Sequence, residues 1–111
     1  MSEMYQLIIN VRSDEEDYQE EVYVHITDHA WRRMDQRLIN EHGIYSSILA
    51  LGEELLDLKC NEEFVIIDKP NEEALVCSME CDDGRIITNV ITVIDTNYVY
   101  VKEGQTIKVL N

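Results

Sequence analysis

A chain of 111 residues and 13.0 kDa has room for one domain and one core, which excludes a two-lobed enzyme with a substrate cleft between its halves. Its 23 Asp and Glu stand against 9 Lys and Arg, a formal charge of -14; such a field repels phosphate backbones and anionic membranes and favours basic partners. No apolar run approaches the roughly 20 residues of a membrane helix, and Met1-Ser2-Glu3-Met4 lacks the basic-then-apolar order of a signal peptide, so a cytoplasmic protein without membrane contact is expected.

Residues 5–11 are apolar and β-branched, and in 21–26 Val22, Val24 and Ile26 alternate onto one face, which predicts two strands around an acidic loop at 13–17. After Ile26 the period changes to that of a helix. Thr27 or Asp28 is placed to cap it, residues 29–41 contain neither Gly nor Pro, and Gly43 supplies a stop. A second helix is predicted from Tyr45 or Ser46, with Ile48, Leu49, Leu51, Leu55 and Leu56 as its apolar stripe, ending between Ala50 and Leu58 because of Gly52.

From Glu63 the pattern is a meander. Strands at 64–68 and 74–80 flank a turn set by Pro70, and Asp82, Asp83 and Gly84 form the next hairpin turn. Residues 85–94 are apolar on both faces, with Ile86, Val90 and Ile94 on one and Ile87, Ile91 and Val93 on the other, as a central strand requires. A last hairpin is predicted from 98–101 and 106–110, turning at Glu103 and Gly104, with Tyr98 and Tyr100 offering an edge contact to a partner or a second copy. The expected fold is one α+β domain over 1–111, with two helices packed on one antiparallel, strongly twisted sheet.

Three of the five arginines, Arg32, Arg33 and Arg37, lie in one short stretch beside His29. On a helix, Arg33 falls roughly 40° and Arg37 roughly 80° from His29, while Ala30, Trp31, Met34 and Leu38 form the stripe that is buried. His beside guanidinium groups suits phosphoryl chemistry, because Arg neutralises non-bridging oxygens and His moves protons near neutral pH. The structural alternative is that these arginines pair with carboxylates on neighbouring elements.

Three cysteines, Cys60, Cys77 and Cys81, are too few and odd in number for a disulfide framework, so reduced thiols are expected. Cys77 and Cys81 share a strand face with Leu75 and Met79 and read as small core residues. A zinc site using them with His25 or His42 fails, since four residues of strand separate them by about 13 Å. No metal or cofactor is expected. Thr88, Asn89 and Thr92 are polar in a strand that otherwise reads as buried, and either bond to the helix or line a cleft with Arg33 and Arg37.

The stretch from His29 through Ala30, Trp31, Arg32, Arg33, Met34, Asp35 and Gln36 to Arg37, entered from a strand ending at Ile26, resembles the opening of small bacterial domains of unknown function with a RelE-like toxin fold. Ile48-Leu49 followed by Leu51-Gly52, and the strand Val90-Ile91-Thr92-Val93, fit the same pattern, so the resemblance covers residues 22–94. It implies a small antiparallel sheet with helices on one side, here with an extra N-terminal strand and a C-terminal hairpin. In active members it implies metal-independent RNA cleavage. The resemblance assigns His29, Arg33 and Arg37 as catalytic, with Arg32 and Thr92 binding substrate, and a cognate antitoxin as partner. Two functions are therefore expected: a weak or degenerate endoribonuclease with a local RNA site on the first helix, or a non-catalytic acidic module that docks on a basic protein as inhibitor or nucleic-acid mimic. The placement of the acids separates them: one continuous face favours docking, and acids all around a basic cleft favour the toxin-like site.

Overall fold

The computed structural model describes residues 4–100 and 102–111. In chain order it contains β1 (Met4–Val11), β2 (Tyr18–Ile26), α1 (Asp28–Gln36), α2 (Glu41–Leu51), a 3-10 segment (Gly52–Asp57), β3 (Glu63–Asp68), β4 (Glu73–Asp82), β5 (Arg85–Asp95), a short 3-10 turn (Thr96–Tyr98) and β6 (Thr106–Leu110).

The α+β class holds, but the expected antiparallel sheet does not. The six strands form one mixed sheet in the order β1-β2-β5-β4-β3-β6. The hairpins β1/β2, β3/β4 and β4/β5 are antiparallel, whereas β2/β5 and β3/β6 are parallel. Turn residues announce hairpins; a parallel pair is joined by a long crossover and leaves no local mark in the sequence. The predicted C-terminal hairpin is likewise corrected. Thr96–Tyr98 is a 3-10 turn, β6 pairs with β3, and Val101, placed by sequence in that hairpin, lies outside the described residues.

The helices do not lie side by side on a sheet face. α1 packs against β5, while α2 touches β1, β3 and β6. Since β1 and β6 are the two outer strands, a flat sheet would hold them roughly 24 Å apart at the usual strand spacing, well beyond the reach of one short helix. The sheet is therefore curled, and α2 closes the gap between its edges. Tyr5 of β1 stacks on Tyr45 of α2 with ring centroids 4.0 Å apart, and Lys108 of β6 reaches Glu54 of the 3-10 segment at 3.9 Å. Inside the curl lies one core including Phe64, Ile66, Leu75, Val90, Met34, Ile48 and Leu55, all at most 1% exposed. Each such side chain contributes roughly 1.5–3 kcal/mol by burial.

The boundary between the helices falls earlier than Gly43. α1 stops at Gln36, Leu38 takes a left-handed φ of 57°, and Asn40 caps α2 by accepting the His42 N–H at 2.8 Å. Gly43 sits inside the first turn of α2. Because the helix has ended, Leu38 is not part of the buried stripe but 92% exposed, and Trp31 is 41% exposed; Ala30 and Met34 alone bury α1.

A bulge corrects the two faces of β5. Cys77 pairs with Val90 but Val76 pairs with Thr92, so Ile91 is the extra residue. One inserted residue exchanges the faces beyond it: Val93 joins Val90 and Thr88 in the core, and Ile94 pairs with Ala74 on the opposite face. Thr27 ties this bulge to α1. Its N–H donates to the Val90 carbonyl at 3.1 Å, its hydroxyl donates to the Ile91 carbonyl at 3.0 Å, and the same oxygen accepts the Ala30 N–H at 3.1 Å.

Candidate functional site

α1 starts where Thr27 satisfies one of its free amides, and Ala30 and Met34 fix its buried side. That leaves His29, Arg32 and Arg33 exposed on its outer surface, with His29 and Arg33 one turn apart. Among the described residues none pairs with these three side chains by hydrogen bond or ion pair.

Arg37 behaves differently. As the C-cap residue it is turned toward the sheet, where its Nε donates to Glu73 Oε2 at 3.1 Å and its Nη2 to Glu73 Oε1 at 2.8 Å, with Asp95 Oδ2 at 3.5 Å. This fork-on-carboxylate geometry is among the stronger polar contacts a protein makes. The Glu73 hydrogen bond holds the guanidinium pKa above its usual value. The Asp95 carboxyl is held below the usual carboxylate range, first by the Asn97 N–H and then by Arg37.

Behind Arg37 lies a cleft of about 290 Å³ between the α1–α2 loop, the start of α2 and the β3–β4 turn. Its floor is Asp68, only 5% exposed, with Ser47 Oγ at 2.7 Å, Asn71 Nδ2 at 2.8 Å and the Asn71 N–H at 3.4 Å. The Ser47 oxygen also lies 3.0 Å from the Gly43 carbonyl, so its single proton serves Asp68 or Gly43. Arg37 and Glu73 stand on the rim, whereas His29, Arg32, Arg33 and Thr92 do not line the cleft. Among the residues proposed by sequence, the fold thus directs Arg37 into a polar cleft and leaves His29, Arg32 and Arg33 on an open helix surface. Thr92 is half-buried beside Val76.

Asp68, Ser47 and Asn71 had no signal in the sequence, because an acid at a strand end reads as a turn residue until the helix that covers it is placed. Neither expectation for the polar residues of β5 describes them fully. Thr88 is buried with its hydroxyl 3.4 Å from Met79 Sδ, and Asn89 bridges His25 Nδ1 and Glu80 Oε2 across the outer face, both at 3.1 Å.

Cys60 and Cys81 form a disulfide, with their Cα atoms 5.6 Å apart, which overturns the expectation of reduced thiols. Cys81 is exposed and is not the core residue its strand face implied. β4 has left the core by then, and a segment 21 residues away in sequence folds back beside it. Cys77 alone fits the core reading, being free and fully buried, and burial pushes its thiol pKa up. Among the described residues no group of His, Cys, Asp and Glu has metal-binding geometry.

The strand directions place the charges. β2, β3, β5 and β6 all run one way, so the connections that enter them lie at one end of the sheet. That end carries Asp14, Glu15, Glu16, Asp17, Glu20, Glu21, Glu62, Glu63, Glu80, Asp82, Asp83 and Glu103, against Arg12, Lys59, Arg85 and Lys102. The opposite end carries Asp28, Asp35, Glu41, Asp68, Glu72, Glu73 and Asp95 with Arg32, Arg33, Arg37 and Lys69. No helix among the described residues is long and apolar enough to cross a membrane. No family model, curated protein or solved structure matches this chain significantly.

Proposed function

We propose that this protein is a non-catalytic binding module whose strand-entry end docks on a basic partner protein in the cytoplasm. The observation that carries this reading is the excess of carboxylates at one end of the strands: twelve stand there against four cations, whereas the opposite end has seven against four. A like-charged array held on a rigid sheet steers a basic partner and binds it with strong salt dependence. The ribonuclease reading loses its third member, because Arg37 is already neutralised by Glu73 and Asp95, and His29 and Arg33 stand in open solvent where nothing excludes water from a reacting phosphate.

The test uses poly-L-lysine as probe. Wild type is expected to bind it tightly at about 50 mM salt and weakly at about 500 mM, since exposed charges are screened at that strength. A variant carrying Asp14→Asn, Glu15→Gln, Glu16→Gln and Asp17→Asn is expected to bind less, while Arg32→Ala with Arg33→Ala is not. Cleavage of RNA by wild type that is lost in His29→Ala and Arg33→Ala would overturn the proposal in favour of the nuclease. Equal background cleavage in all three retains it.

A further inference from the structure

Cys60 lies in the turn between the 3-10 segment and β3, and Cys81 near the end of β4, so the disulfide spans the acidic end itself. On one side Cys81 is held in the β4–β5 ladder opposite Ile86, and on the other the turn that carries Cys60 meets β4 through a few backbone bonds. The Asn61 N–H donates to the Met79 carbonyl at 2.8 Å and the Met79 N–H to the Glu62 carbonyl at 2.9 Å. Glu62 accepts from the Lys59 N–H and the Thr106 hydroxyl. Asn61 holds a left-handed φ of 68°, which asparagine adopts more readily than most non-glycine residues. Neither Cys60 nor Cys81 belongs to the hydrophobic core, and both are exposed. The bond can therefore be reached from solvent and broken without opening the core.

We propose that Cys60–Cys81 is an exchangeable redox clasp. Closed, it holds residues 59–62 against the end of β4 and so sets Glu62 beside Glu80 and Asp82, which the β5 ladder holds in either state; open, it frees the 59–62 turn while the rest of the sheet stays folded. The opening reagent is a dithiol. One of its thiolates attacks a sulfur of the pair, and the other sulfur leaves as a thiolate and takes up a proton. The second thiol of the reagent then displaces the first bond to form the reagent's own disulfide, so two electrons and two protons end on Cys60 and Cys81. Cys77 cannot divert this exchange, because it is buried in the core and out of reach of solvent. The consequence for partner binding rests on the docking function proposed above; the clasp itself does not.

The test compares oxidised wild type, dithiol-reduced wild type and the double variant Cys60→Ser with Cys81→Ser. Amide hydrogen exchange at 59–62 is expected to rise about tenfold on reduction and in the variant, with β1, β2, β5 and α1 unchanged, and to return on reoxidation of the wild type. Poly-L-lysine affinity is expected to fall several-fold with the same dependence. Exchange that is unchanged by reduction overturns the clasp, as does unfolding of the whole sheet. Local opening on reduction, in a protein that fails to bind poly-L-lysine even when oxidised, upholds the clasp and overturns the docking function instead.

Discussion

The two ends of the sheet treat their charges in opposite ways. At the end covered by the helices, Asp68 is buried under Ser47 and Asn71, and Arg37 is shared by Glu73 and Asp95. At the strand-entry end most carboxylates face solvent, with Asp82 to Arg85 at 3.4 Å as an ion pair of exposed groups. Paired and buried charges specify structure; exposed charges of one sign are free for a partner. The open end also carries the one disulfide among the described residues, between Cys60 and Cys81.

The largest effect that would sharpen this contrast is loss of the disulfide. Closing a loop of 21 residues restricts the unfolded chain by about 3 kcal/mol in the chain-entropy account, so reduced protein should melt at lower denaturant with its native spectrum kept below the transition. Next is Asp68→Ala, which leaves the Ser47 hydroxyl with the Gly43 carbonyl alone and gives Asn71 up to solvent, and is expected to cost about 1 kcal/mol in urea unfolding. A cost near zero would show that the covered end is not organised by this carboxylate.

Arg37→Ala is expected to cost about 1 kcal/mol, because the pair is partly open to solvent. Its effect should depend on pH. Asp95 titrates lower folded than unfolded, so its contribution is complete above the ordinary carboxylate value of about 4 and is lost as pH falls through its lowered folded value. Melting curves of wild type and Arg37→Ala should therefore converge on acidification. Smallest is the neutralised 14–17 loop, where stability should change by less than about 0.5 kcal/mol, since these side chains are exposed. A large loss there would break the comparison, because the open end would then depend on its charges for folding.

Much of the fold was legible. Apolar runs, alternation in 21–26 and turn residues located β1 to β5, and Thr27 or Asp28 marked the start of α1, which Thr27 caps. What was hidden was non-local or a matter of one residue. Nothing near β5 says that it inserts between β2 and β4, and nothing near Ile91 announces a bulge. Leu38 adopts a conformation that leucine rarely takes, so the break between the helices was sought at Gly43 instead. For the candidate site, the spacing that grouped His29, Arg33 and Arg37 assumed a helix running past Gln36; with the helix ended there, Arg37 takes the course of the structural alternative and pairs with acids. The Cys60–Cys81 link was hidden because an odd count and the expectation of a reducing compartment both argued for thiols.

The position of α2 carries one more consequence. The outer strands of an open sheet ordinarily expose a row of backbone groups that another chain can copy, and long free edges of this kind seed aggregation. Here β1 and β6 share one continuous cover, α2 with the 3-10 segment that follows it. Displacing that cover would expose two templating edges at once. The opposing half-measures, a frayed β1 or a frayed β6 alone, leave the other edge guarded, so the packing of Ile44, Ile48 and Leu51 protects solubility as much as it protects the fold.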